Sequence, residues 1–226
     1  ETGPQPPDHT ASAAIRSVRA RAATARVAAA TRWDHAISDG VGSFEFDTAC
    51  EGLATAGRLT VNFHPDRVAA DGRTVAESLR DDGVYRSQWE TQISNGGRSA
   101  FVGGDRHRWE HELFAGAYTR AVPGSPRPIY GALDLTFDPH GGSPRFGSAY
   151  LVLRDHMRAR TTLCIGDSHL GPTDIGTFDE PGSLAAALAE QAASSSLLDR
   201  GLRLADLATV LERRFVATVP ARALDG

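Results

Sequence analysis

Apolar and polar positions alternate most cleanly where Leu59, Val61 and Phe63 are separated by Thr60 and Asn62, the period-two pattern of a half-buried strand. The run passes into His64-Pro65-Asp66-Arg67, where Pro65 ends the ladder and leaves three ionisable side chains at a strand end. Upstream, residues 10–37 scatter Ile15, Val18, Ala22 and Val27 among Ala and Arg with no Gly or Pro. That composition predicts a long helix, capped by Asp8 or Thr10 and stopped by Asp39-Gly40. Phe44, Phe46 and Leu53, around Cys50, read as a short packing segment. Downstream, Thr74 and Glu77 have the spacing of a capping box for a helix starting at Val75, which Gly83 ends.

Trp109 with Leu113, and Phe114 with Tyr118, recur at helical spacing, which puts Glu110 and Glu112 on different faces. Ile129–Leu135 reads as a strand, Ala149–Leu153 as an apolar central strand, and Arg160–Ile165 as a strand delivering Gly166-Asp167-Ser168-His169 at its end. From Ser183 the chain is Ala/Leu-rich and helical, ending in an amphipathic helix over Leu204–Phe215. Strands in the middle and helices at both ends predict an α+β fold with a central, mostly antiparallel sheet or sheets. Residues 1–8 read as a cloning remnant and disordered start, 9–182 as one α+β domain including the first helix, and 183–226 as a helical segment packed on it.

Composition narrows the classes. The 226 residues, 41% hydrophobic and 23% charged, suit one globular domain. No apolar run approaches a membrane span, and a net charge of -4 argues against general nucleic-acid binding. Every basic residue among the 24 Lys and Arg is an arginine, a bias that codon usage explains as readily as a need for bidentate anion contacts. Cys50 and Cys164 have no metal-ligand spacing and are either one disulfide or two buried thiols. Neither bacterial cytoplasm nor export is fixed by these features.

Three polar clusters end or follow strands: His64/Asp66/Arg67, Arg145/Ser148 and Asp167/Ser168/His169. A fourth, Tyr85/Gln88/Glu90 with the turn Ser94-Asn95-Gly96-Gly97, follows a helix. Converging strand ends can assemble one site. One reading is a metal-dependent hydrolase with His64, Asp66, Asp167 and His169 as ligands. Another makes Ser168 a nucleophile with His169 or His64 as base, without a GxSxG elbow. A third is cleavage of a nicotinamide dinucleotide, which needs a polar grip on ribose or phosphate (His64 or Arg67), a stacking ring (Tyr85 or Tyr150) and a carboxylate beside the developing oxocarbenium charge (Glu90 or Glu110). For Glu90 the plain alternative is an ion pair with Arg86 on a helix face. A non-enzymatic binding module is a fourth class.

The segments NFHPDR, YRSQWETQISNGG, GGDRHRWEHELF, RPIYGALDL, GGSPRFGSAYLVL and RTTLCIGDSH together resemble a bacterial domain family without an assigned function, whose signature is the triplet Asp167-Ser168-His169. The resemblance covers roughly Leu59 to His169. Its layout is distantly similar to the ADP-ribosyltransferase fold, in which a His or Arg on the first core strand is followed by a Tyr or Ser and then a Glu. The resemblance implies an enzyme that uses NAD as substrate, needs no metal, and passes ADP-ribose to a macromolecule or to water, in one version as an exported toxin. It puts His64 or Arg67 in the first place and Tyr150 or Ser148 in the second, and together with the residue reading above this makes His64, Glu90, Glu110 and Tyr150 the catalytic candidates. Arg67, Tyr85, Gln88, Asn95, Arg145, Ser148, Asp167, Ser168 and His169 would bind substrate. Glu90 and Glu110 precede Ser148 and Tyr150 in the chain, and the later glutamate is Glu180.

Overall fold

A computed structural model describes residues 9–38, 44–93, 99–118, 126–194, 197–198 and 204–212. The fold is α+β. The first helix, α1, spans His9–Ile37. Its buried stripe is Ala14, Val18, Ala22, Ala29 and Trp33, so small alanines let it lie close to its neighbours, while Val27 is 81% exposed. The expected packing segment is a helix, α2, over Phe46–Thr55. The strand β1 then runs Arg58–Phe63.

Next come α3 (Val75–Asp82), α4 (Gln88–Thr91), α5 (Asp105–Leu113), β2 (Ala132–Asp134) and β3 (Ala149–Val152). A 3-10 turn over Pro144–Phe146 precedes β3, and two more span Asp155–Arg160 and Ser168–Leu170. Strands β4 (Thr162–Cys164) and β5 (Ile175–Thr177) and helices α6 (Gly182–Ala193) and α7 (Leu204–Glu212) complete the described chain.

The strands form two small antiparallel sheets, β2-β1-β3 and β4-β5. The centre of the first is β1, whereas the apolar β3, expected to be central, is an edge strand with Val152 partly exposed. Nor is β1 half-buried: Leu59, Thr60, Val61 and Asn62 are all covered. The cover over its polar face is the loop from Asp138 to Gly147. Asn62 Nδ2 donates to the carbonyls of His140 (2.8 Å) and Gly147 (3.2 Å), and its Oδ1 accepts from Ser143 N at 3.1 Å. Thr60 Oγ1 accepts from Gly142 N at 3.0 Å. Polar residues on a buried face are thus paired with backbone.

The capping box of α3 forms as its spacing predicts, with Thr74 Oγ1 accepting from Glu77 N at 3.1 Å and Glu77 Oε2 accepting from Thr74 N at 2.7 Å. Gly83 closes the helix in the left-handed conformation, φ 65°. The main core joins Trp33 of α1, Leu53 of α2, Leu184 and Leu188 of α6 and Leu207 and Leu211 of α7. A second cluster gathers Ala14, Val18, Leu113, Phe114, Tyr118 and Ile175. Cys50 and Cys164 are both free thiols, and burial pushes each up to about 11.

Candidate functional site

The end of β1 meets the start of β3. Phe63 pairs with Ala149, and Gly147 lies so close that a Cβ there would collide with the Phe63 carbonyl carbon and the His64 amide. A glycine is therefore required, and it brings the turn carrying Arg145 against the strand that leads into His64. Two hydrogen bonds brace the His64–Arg67 turn from the far side, Val75 N to the Arg67 carbonyl (2.8 Å) and Ala76 N to the Pro65 carbonyl (3.0 Å). His64 and Arg67 are half-buried, whereas Asp66 and Ser148 are exposed.

The guanidinium of Arg145 forms an ion pair with Asp167 Oδ2, joining the second strand-end cluster to the third. The other oxygen, Oδ1, lies 2.8 Å from His169 Nδ1. An ionised carboxylate only accepts, so Nδ1 carries the proton and Nε2 is left with the free lone pair unless the ring takes a second proton. Partial burial alone would raise the Asp167 carboxyl. The hydrogen bonds from His169 and the charge of Arg145 outweigh it and hold the group below the ordinary aspartate range.

The ring of His169 packs on that of Trp109, centroids 5.9 Å apart, and Trp109 leads to a buried hub. Its Nε1 donates to Tyr130 Oη at 3.3 Å, and Tyr130 Oη donates to Glu110 Oε1 at 3.1 Å. Trp89 Nε1 donates to the same oxygen at 3.2 Å, and Arg127 Nη1 donates to Glu110 Oε2 at 3.1 Å and to the Tyr118 carbonyl at 3.0 Å. The Arg127 guanidinium lies 3.9 Å from the Trp89 ring centroid, and that of Arg106 lies 4.8 Å from the Trp109 ring and 4.7 Å from the Tyr130 ring. Burial raises the Glu110 carboxyl above its usual range against the pull of its donors, and it raises the Tyr130 phenol as well. Trp89, Arg106, Arg127 and Tyr130 stand in segments that carry the family resemblance, yet the sequence alone assigns them no site role, because it shows no contact between those segments. Two of the chain's three Trp belong to this hub.

Among the other expected residues, Glu110 is fully enclosed and ties α4, α5 and the segment before β2 together. Glu90 closes a second capping box, its Oε2 accepting from Ser87 N at 2.9 Å and from Ser87 Oγ at 2.8 Å, while Arg86 pairs with Asp82. Tyr150 sits opposite Asn62 under the 138–147 loop, its ring 5.2 Å from the Arg58 guanidinium, and Tyr85 packs edge-on to Phe63. Gln88 buries an Oε1 that has no hydrogen-bond partner among the described residues. Glu180 lies at the turn after β5, beside Arg26 of α1. Asn95 and its glycine turn lie outside the described residues.

Among the described residues, no three His, Cys, Asp or Glu side chains gather as metal ligands, so the set His64, Asp66, Asp167 and His169 does not form here. Ser168 makes no hydrogen bond to a histidine among the described residues, because His169 turns its Nδ1 to Asp167. No described helix is long and apolar enough to cross a membrane. No curated protein matches the sequence. Residues 58–219 match the family described as protein of unknown function (DUF3626), and the chain belongs to that family.

Proposed function

We propose that the protein is an ADP-ribosyltransferase-like enzyme that binds NAD along the rim formed by His64, Ser148, Arg145, Asp167 and His169. There it breaks the bond between nicotinamide and ribose, and the ADP-ribosyl group passes to water or to a macromolecule. The observation that carries this reading is the meeting of three sequence-distant strand ends: β1 with its His64, the Arg145–Gly147 turn packed on it, and Asp167 paired to Arg145.

The chemistry supports a dinucleotide. Arg145, with a side chain 65% exposed, can offer a bidentate fork to a diphosphate. The His64 ring and the Ser148 hydroxyl supply the polar grip that a ribose needs. The ionised carboxylate at this rim is Asp167, whereas Glu110 is enclosed and Glu90 caps its helix.

Incubation with NAD tests the reading, with free nicotinamide followed by chromatography and adenylate-labelled NAD supplied together with a cell extract. Release of nicotinamide, with or without labelled macromolecule, is expected. Intact NAD and an unlabelled extract would overturn the proposal.

A further inference from the structure

Resting on the NAD reading, we infer that His169 is the general base of the reaction, with Asp167 as its positioning residue and water as the acceptor it activates. Two contacts fix this imidazole. Asp167 Oδ1 accepts a hydrogen bond from Nδ1 at 2.8 Å while Arg145 holds the other carboxylate oxygen, and the Trp109 ring, itself tied to Tyr130, backs the imidazole at 5.9 Å. Together these orient the ring and leave Nε2 as the free acceptor, the arrangement a base needs. The His169 side chain is 49% exposed, so water can reach the imidazole. By contrast, His64 has no carboxylate partner among the described residues, which suits a ribose grip and not proton transfer.

The step balances without a co-reactant. The ribosyl C1′–nicotinamide bond breaks and its electron pair leaves with neutral nicotinamide. The water oxygen bonds to C1′, and its proton passes to Nε2, giving an imidazolium beside the Asp167 carboxylate. Loss of that proton to solvent resets the enzyme, and the products are ADP-ribose, nicotinamide and one proton.

Nicotinamide release by the full chain tests this, comparing wild type with His169→Ala, His169→Asn and Asp167→Asn, each with and without sodium azide. Azide is an anionic nucleophile that needs no deprotonation. NAD affinity and thermal midpoint are measured in parallel to separate chemistry from folding. We expect the His169 variants to lose ~10²-fold or more in turnover at saturating NAD, azide to restore turnover with azido-ADP-ribose as product, and Asp167→Asn to fall between wild type and His169→Ala. An active wild type with unimpaired His169 variants would overturn the base assignment and leave NAD cleavage standing. So would loss of turnover that azide does not restore in a variant that still folds and binds NAD. An inactive wild type would overturn both.

Discussion

Glu110 is a carboxylate enclosed within the fold, out of contact with solvent and satisfied by Trp89, Tyr130 and Arg127. Removing one partner of a buried pair strands the other, so Glu110→Ala is expected to cost about 3–5 kcal/mol of unfolding free energy in urea titration. The pH dependence has a definite sign. A carboxyl raised by burial holds more protons in the native chain than in the unfolded one. Its contribution is therefore complete below the unfolded value of about 4.3 and is lost as pH rises through the higher native value. Urea titrations across pH should then show the advantage of wild type over Glu110→Gln shrinking as pH rises above about 4, and an advantage that grows would contradict this assignment. A different residue-scale dependence sits at Asn62, which answers two carbonyls and one amide of the covering loop. Asn62→Ala should cost about 1–3 kcal/mol and speed amide exchange at Ser143.

At the scale of elements, α3 is the brace of the His64 turn, and its N-terminus is set by Thr74 and Glu77. Thr74→Ala should lower stability by about 1 kcal/mol and accelerate amide exchange at Val75 and Ala76, both of which donate to that turn. Unchanged exchange there would separate the helix cap from the turn. This helix was legible because capping is local: four residues in sequence supply all the partners. The strand β1 was legible for the same reason, through its alternation. Its second covered face was not, because the partners of Thr60 and Asn62 come from the loop that ends at Gly147. Helix α2 was hidden by Gly52, a weak helix former that belongs there because a Cβ would sit 3.1 Å from Leu211 Cβ. With only three residues and a central glycine, β5 has too short a period to read. The site divides the same way. Its strand-end residues could be seen as clusters, whereas the hub draws Trp89, Arg106, Trp109, Glu110, Arg127 and Tyr130 from three separate stretches and exists only in the fold.

At the scale of the whole molecule, helices and small sheets are held by a main core that runs from α1 and α2 to α6 and α7 and by a second cluster that joins α1, α5 and β5. Residues 182–189 of α6 are buried all round, as expected for a helix enclosed by others and not laid on a surface. The family match over residues 58–219 takes in both sheets, the hub and α6, and the packing of α1 against α6 joins the preceding helix to that unit. Within it, the hub lies behind the rim and fixes Trp109, on which His169 rests. The rim is the part proposed to meet the dinucleotide. Calorimetric titration of the purified chain with NAD tests that claim most directly, with His64→Ala and Arg145→Ala beside it. The account predicts saturable binding by wild type and a loss of about tenfold, or ~1.4 kcal/mol, in each variant while its thermal midpoint stays near that of wild type. Absence of binding by wild type, or binding that neither substitution weakens, would contradict it.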